Sequence, residues 1–276
     1  MTDVSNPFKK EPQQQLSGLS EQAGFEIPVE SVSLPSKGSI YPLGHPLCNE
    51  TEVEIKCMTA KEEDLLTSRA LIKNGSVITK LIQSCMMNKT VDPDTLVTGD
   101  RNALLIAIRV TGYGSEYGVK IECPDCGEDF ENEFSLGTLA VKGLGAEPLN
   151  PNTNVFCFTL PKTKREVQFR LLTGAEETEL MQESKARKKA RLSQVENTIT
   201  SRLLKSVISI AGETDGSKLA FMIRNMPAAD ARALRNYVEK VEPSVEMKQK
   251  ATCPSCSEVS EVDVPLGISF FWPDAG

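Results

Sequence analysis

Eight cysteines and a single histidine are the residues of this 276-residue chain best suited to chemistry. Four of the cysteines fall in two Cys-Pro-x-Cys turns, CPDC ending at Cys126 and CPSC ending at Cys256. Such a turn points both sulfurs to one side of a tight backbone, so each offers two thiolates to an ion, while a tetrahedral site needs four ligands. If each turn served its own ion, each would need two more Cys or His ligands. The remainder, His45, Cys48, Cys57, Cys85 and Cys157, are scattered without pairing. The economical arrangement is one site with Cys123, Cys126, Cys253 and Cys256 as ligands. Zinc is the first choice, because a closed set of four thiolates is its structural pattern and leaves no position for a catalytic water. The same sulfurs also suit a single iron. Cys57 lies on the apolar side of a strand pattern and Cys85 in an apolar helix pattern, where buried reduced thiols are expected. His45, in GHPL, reads as a loop residue.

Other chemistries compete for these residues. A redox Cys-x-x-Cys places its nucleophile at a helix N-terminus to lower its pKa, whereas strand-like alternation follows both turns here. Redox or electron transfer, through iron or a reversible disulfide, is therefore the alternative reading. One histidine supports no Ser/His/Asp set. The acidic pairs Glu62/Glu63 and Glu176/Glu177 read as first-turn helix acids rather than catalytic carboxylates, so no enzyme is expected.

The two cysteine turns belong to a longer internal repeat. Shifted by 130 positions, the segment from Asp100 to Leu136 lies without a gap on the segment from Asp230 to Leu266, matching Ala103 with Ala233, Leu104 with Leu234 and Cys123 with Cys253. Upstream, at a shift of 114, VEIKCMTAKEEDLL from Val53 lies on VQFRLLTGAEETEL from Val167, and LIQSCM from Leu81 resembles LLKSVI from Leu203. The change of shift places insertions in the second copy. A unit of this size recurring twice is a tandem duplication rather than an array of short repeats.

Each copy reads as strand, helices and hairpin. Val53 and Ile55, like Val167 and Phe169, alternate with polar residues as a half-buried strand does. Thr59 to Glu62 and Thr173 to Glu176 match the capping box that opens a helix. Gly75 in KNGS can close the first helix of copy one, and a second helix runs to about Met87. In copy two the first helix extends through EETELMQESKARKKARL. A third helix follows in each copy, around Asp100–Val110 and Pro227–Val241, and leads into the cysteine hairpin. Gly127, after Cys126, can take the positive φ that turns backbone N–H groups toward the sulfurs. Ser257 holds that place in copy two and reaches the conformation only under strain.

The expected fold is α+β, two copies of this unit joined by a shared four-cysteine zinc-ribbon-like site. Its parts are a flexible arm over 1–24, an extended Pro/Gly-rich segment over 25–49, copy one over 50–137, a connector over 138–164, copy two over 165–267 and an aromatic tail over 268–276. SKGS lacks the Walker glycine spacing and reads as a plain turn. A net charge of −7 argues against nucleic acid as partner. The basic run Lys185, Arg187, Lys188, Lys189 and Arg191 reads as a solvated helix end that complements the helix dipole. No apolar stretch is long enough for membrane insertion, and eight cysteines without a secretory signal imply a reducing compartment.

In order, SLPSKGSIYPLG, VEIKCMTAKEEDLL, LVTGDRNALLIAIRVTGYGSEYGVKIECPDC, VQFRLLTGAEE, CPSC and PLGISFFWP resemble the T4-type bacteriophage baseplate protein family, from about residue 30 to the C-terminus. The resemblance implies a non-enzymatic subunit of the central, hub region of a contractile-tail baseplate, with other baseplate and tail subunits as partners. It implies a location in the virion, or in the host cytoplasm during assembly. Phe270, Phe271 and Trp272 in SFFWP have two readings, a tail tucked against the core or an anchor for a neighbouring subunit.

Overall fold

Alternation sets the first strands. In the computed structural model, which describes residues 27–190, 198–263, 266 and 268–271, Val53 and Ile55 of β2 (Glu52–Lys56) are buried and Glu52 and Glu54 face outward. β2 pairs antiparallel with β1 (Val29–Ser33), Val32 opposite Val53. The arm over 1–24 lies outside the described residues, as do Trp272 and Arg191. The capping box then opens α1 (Ala60–Thr67): the backbone N–H and hydroxyl of Thr59 both donate to Glu62, at 3.0 and 2.5 Å.

The expected single helix ending at Gly75 is instead two. Ser68 takes extended angles (φ −66°, ψ 105°) between α1 and α2 (Arg69–Asn74), so α1 buries Leu66 while α2 buries nothing. Gly75 closes α2 at φ 70°, as the sequence suggested. α3 (Val77–Cys85) buries Val77, Leu81, Ile82 and Cys85 along one face. It stops before Met87 because Met86 turns extended to bridge Ile55, and the N–H of Met87 donates to the carbonyl of Glu54. α4 (Thr98–Tyr113) carries the buried Leu104 and Ile108 into the core and leads to the hairpin β3 (Glu116–Glu122) and β4 (Asp129–Ser135).

After a short β5 (Val141–Lys142), the second half opens with β6 (Phe156–Thr159) and β7 (Glu166–Phe169). α5 (Gly174–Ala190) and α6 (Thr198–Ser206) follow. VISI then forms β8 (Val207–Ile210), which completes a three-stranded antiparallel sheet in the order β6-β7-β8. Because Met86 faces Ile55 and Val207 faces Phe169, the alignment of Leu81 with Leu203 is one residue out of the structural register. α7 (Gly216–Arg224) has no matching helix in the first half. α8 (Ala228–Val241), with Pro227 at its cap, leads through β9 (Ser244–Val245) to the hairpin β10 (Lys248–Thr252) and β11 (Val259–Asp263). The architecture is α+β, helices among small antiparallel sheets.

The halves repeat local devices at matched positions. Lys56 stands three residues before Thr59 and its Nζ lies 2.8 Å from buried Glu62; Arg170 stands three before Thr173 and pairs with Glu176. Asp100 is buried in the first turn of α4 and accepts from the N–H of Ser36 at 2.9 Å and the hydroxyl of Tyr41 at 2.7 Å. Asp230 is buried in the first turn of α8 and accepts from the N–H groups of Lys162 and Thr163, at 2.7 and 3.0 Å. Each carboxylate thus pins the loop after the half's first strand to a helix N-terminus, where anions are favoured. The halves also touch directly. Arg101 donates to the carbonyl of Gly174 at 2.9 Å, β5 pairs with β9, and Gly99 lies so near the second half that a Cβ there would stand 1.8 Å from the Pro243 carbonyl oxygen.

Candidate metal centre

The two hairpins place the cysteine turns at their tips. In the first, the N–H of Cys123 donates to the carbonyl of Glu128 and the N–H of Gly127 to the carbonyl of Cys123, both at 2.9 Å. In the second, Cys253 pairs with Glu258 and Ser257 with Cys253 in the same way and at the same distances. Gly127 takes φ 74° and Ser257 φ 61°, so both knuckles use the left-handed conformation, one of them with a side chain that disfavours it. The hairpins are rooted in the core through Tyr117, Phe130, Phe134 and Ala251.

All four sulfurs lie within 4.8 Å of one another. Two cross-half edges are resolved, Cys123 to Cys256 and Cys126 to Cys253, each 3.7 Å. A disulfide would bring the sulfurs to about 2.05 Å, and all eight cysteines are free. A tetrahedron with metal–sulfur bonds of about 2.3 Å has edges of about 3.8 Å, so the spacing suits one tetrahedral ion. Cys123 and Cys253 are buried while Cys126 and Cys256 are exposed. The cluster is therefore reachable from solvent on one side.

The backbone prepares these sulfurs for negative charge. The N–H of Cys256, followed by that of Ser255, donates to Cys253 and draws its thiol down to about 7. At Cys126 and Cys256 the N–H groups of Glu128 and Glu258 pull the same way. Desolvation and the neighbouring sulfurs outweigh them, raising both thiols and pushing Cys256 up to about 12. Metal binding would require all four ligands to be deprotonated.

The other candidate residues lie elsewhere. His45 is held in its loop: Nδ1 accepts from the N–H of Leu47 at 3.1 Å, Nε2 meets Thr95 Oγ1 at 3.0 Å, and the ring stacks on Tyr41. Cys57 is half-buried and donates to the carbonyl of Thr111 at 2.9 Å. Cys85 is buried, and desolvation together with the charge of Glu62 pushes its thiol up to about 12, which makes it inert. Both cysteine turns sit at hairpin tips rather than at the helix N-terminus of a redox motif.

Phe270 and Phe271, read either as a tail tucked against the core or as an anchor for a neighbouring subunit, are 0% and 1% exposed within this chain. Phe270 packs edge-on against Tyr117, and its carbonyl accepts from Arg109 Nε at 3.0 Å. Sequence reasoning passed over Arg109, which is 1% exposed and donates only to carbonyls, those of Gly114 and Glu116 as well as Phe270. Its position inside an otherwise apolar helix run, LLIAIRV, was the available signal. Asp100 and Asp230 were visible as matched positions, but their loop-pinning role needed coordinates.

No described helix is long and apolar enough to cross a membrane. No curated protein and no solved structure matches the chain. The family described as T4 bacteriophage base plate protein matches residues 28–272, nearly the whole length of the fold set out above. With its paired hairpins and cysteine cluster inside that span, the chain belongs to the T4 bacteriophage base plate protein family.

Proposed function

We propose that this chain is a non-enzymatic structural and assembly subunit of the central baseplate of a contractile-tailed phage, built from two tandem copies of one unit and fastened by a single structural zinc. Family membership supports the baseplate role. The observation that carries the rest is the convergence of Cys123 and Cys126 from one half with Cys253 and Cys256 from the other. A closed set of four thiolates leaves no coordination position for water or substrate, so the ion serves as a fastener. A structural zinc contributes on the order of 10 kcal/mol or more, as much as the stability of a whole domain.

The copies run roughly over residues 50–137 and 165–267. The matched capping boxes, buried helix-start aspartates and identical knuckle hydrogen bonds support a common ancestry for them. Ligation across the halves makes the ion a restraint on their relative placement. A subunit clamped in this way presents a fixed surface to the other baseplate and tail proteins, in the virion or in the host cytoplasm as the baseplate forms.

The baseplate role is tested by deleting the gene from the phage and imaging the products by electron microscopy. Accumulated tails or hubs without complete baseplates are expected. Normal particles in its absence would overturn the proposal.

A further inference from the structure

Phe221 is 69% exposed, and among the described residues it is the only exposed aromatic side chain. It stands on α7, the helix that the second half has and the first half lacks. Leu219 and Ile223, two positions to either side of it, are buried against the core. The helix is thus anchored without Phe221, and the ring is held in a fixed place while facing solvent.

A lone exposed apolar residue is ordinary, but this one comes with the composition of an interface. The run over 216–229, GSKLAFMIRNMPAA, contains Phe221, Met222, Arg224 and Met226 and no Asp or Glu. Phe, Met and Arg are enriched at interface cores, and Asp and Glu are depleted there. Arg224 follows Phe221 by three residues and so shares its face of the helix. It is exposed, and among the described residues no hydrogen bond or ion pair reaches its guanidinium. Lys218, three residues before Phe221, is by contrast already paired with Glu213 at 2.8 Å. The face therefore offers one open ring beside one uncommitted cation.

We infer that this face of α7 docks a neighbouring protein subunit through an apolar pocket rimmed by carboxylates, the pocket taking Phe221 and a carboxylate pairing with Arg224. Burying a Phe ring removes about 150–250 Å2 from water, and an Arg–carboxylate pair adds parallel hydrogen bonds of fixed geometry. A pocket rimmed by cations would meet Arg224 and be rejected, which selects the partner. Since the first half has no such helix, each chain presents this face once. The identity of the neighbour as a baseplate subunit rests on the function proposed above. The chemistry of the face does not.

The test places the photo-cross-linker p-benzoylphenylalanine at position 221 of the full-length protein in phage-infected cells, with the same probe at Leu149, which is also exposed, as the control. On irradiation, position 221 is expected to join one segment of another phage protein, with Asp or Glu within a few residues of the joined site. Arg224→Glu should lower that yield at least about tenfold, the scale of one charge-assisted hydrogen bond, and Arg224→Lys should retain most of it. Phe221→Ser should unfold at the wild-type temperature, since no buried contact is lost. In mixed infections it should nevertheless enter complexes at least about tenfold less readily than wild type, as truncation of an interface anchor does. No product above the control, a product only with lipid or with this chain itself, or a joined segment without carboxylates would each overturn the inference. So would a yield indifferent to Arg224→Glu, or a Phe221→Ser chain that competes on equal terms. Phage that assemble normally without the chain would undo the baseplate role, whereas phage that need the chain but tolerate Phe221→Ser would undo this inference alone.

Discussion

Replacing Glu62 with alanine tests whether the capping box is a stability centre or a surface ornament. The Glu62 carboxylate is fully buried and takes four donors: Lys56 Nζ at 2.8 Å, the N–H and hydroxyl of Thr59, and the hydroxyl of Ser84 at 2.6 Å. Desolvation alone would raise its pKa, but the hydrogen bonds from Lys56, Ser84 and Thr59 prevail and hold it at about 2, against an ordinary 4.5. At about 1.4 kcal/mol per unit, that difference corresponds to roughly 3 kcal/mol of stability at neutral pH. Breaking a buried ion pair from one side gives a similar figure, about 3–5 kcal/mol. The folded-state pKa is depressed, so this contribution is present above pH 4.5 and disappears as pH falls toward 2. Urea unfolding of wild type and Glu62→Ala, compared at pH 7 and at intervals down to pH 2.5, should give a difference of about 3 kcal/mol that shrinks through that window. Glu176→Ala should cost less, since Glu176 and Arg170 are partly exposed, at 15% and 35%. A Glu62→Ala effect below about 1 kcal/mol, or one independent of pH, would refute the reasoning.

Three further substitutions probe the joint between the halves and its knuckles. Gly99→Ala puts a methyl group 1.8 Å from the Pro243 carbonyl oxygen, and thermal unfolding should show a loss of more than about 2 kcal/mol, the scale of core overpacking. Gly127→Ser places a side chain at φ 74° in open space, so its cost should be only the backbone strain, about 1–2 kcal/mol. Ser257→Gly, at φ 61°, relieves such strain and should leave denaturant stability equal to or above wild type.

The features legible in the sequence were those whose physics is local. Thr59 with Glu62, Thr173 with Glu176, Gly75 as a helix stop and the Cys-Pro-x-Cys turns all follow from spacings of a few residues. The convergence of the four cysteines was legible as well, because one histidine leaves each pair without other partners. Ser68 gave no warning of a helix break, since neither Gly nor Pro marks it and the kink serves the burial of Leu66. VISI went unread as a strand, because its pairing through Val207 and Ile210 depends on the edge that β7 offers. Arg109 was hidden for a related reason: its main partner, the Phe270 carbonyl, is 161 residues away, and no periodicity reports a contact at that range.

The central claim is that one zinc ion joins the two halves through four sulfurs. Elemental analysis of the purified full-length protein by mass spectrometry, with Cys126→Ser and Cys256→Ser measured beside it, tests this most directly. The account predicts one zinc per wild-type chain and the loss of the metal in both variants alike, although each alters a different half. A wild-type protein without stoichiometric zinc, or a variant of either half that retains the ion at full occupancy, would contradict it.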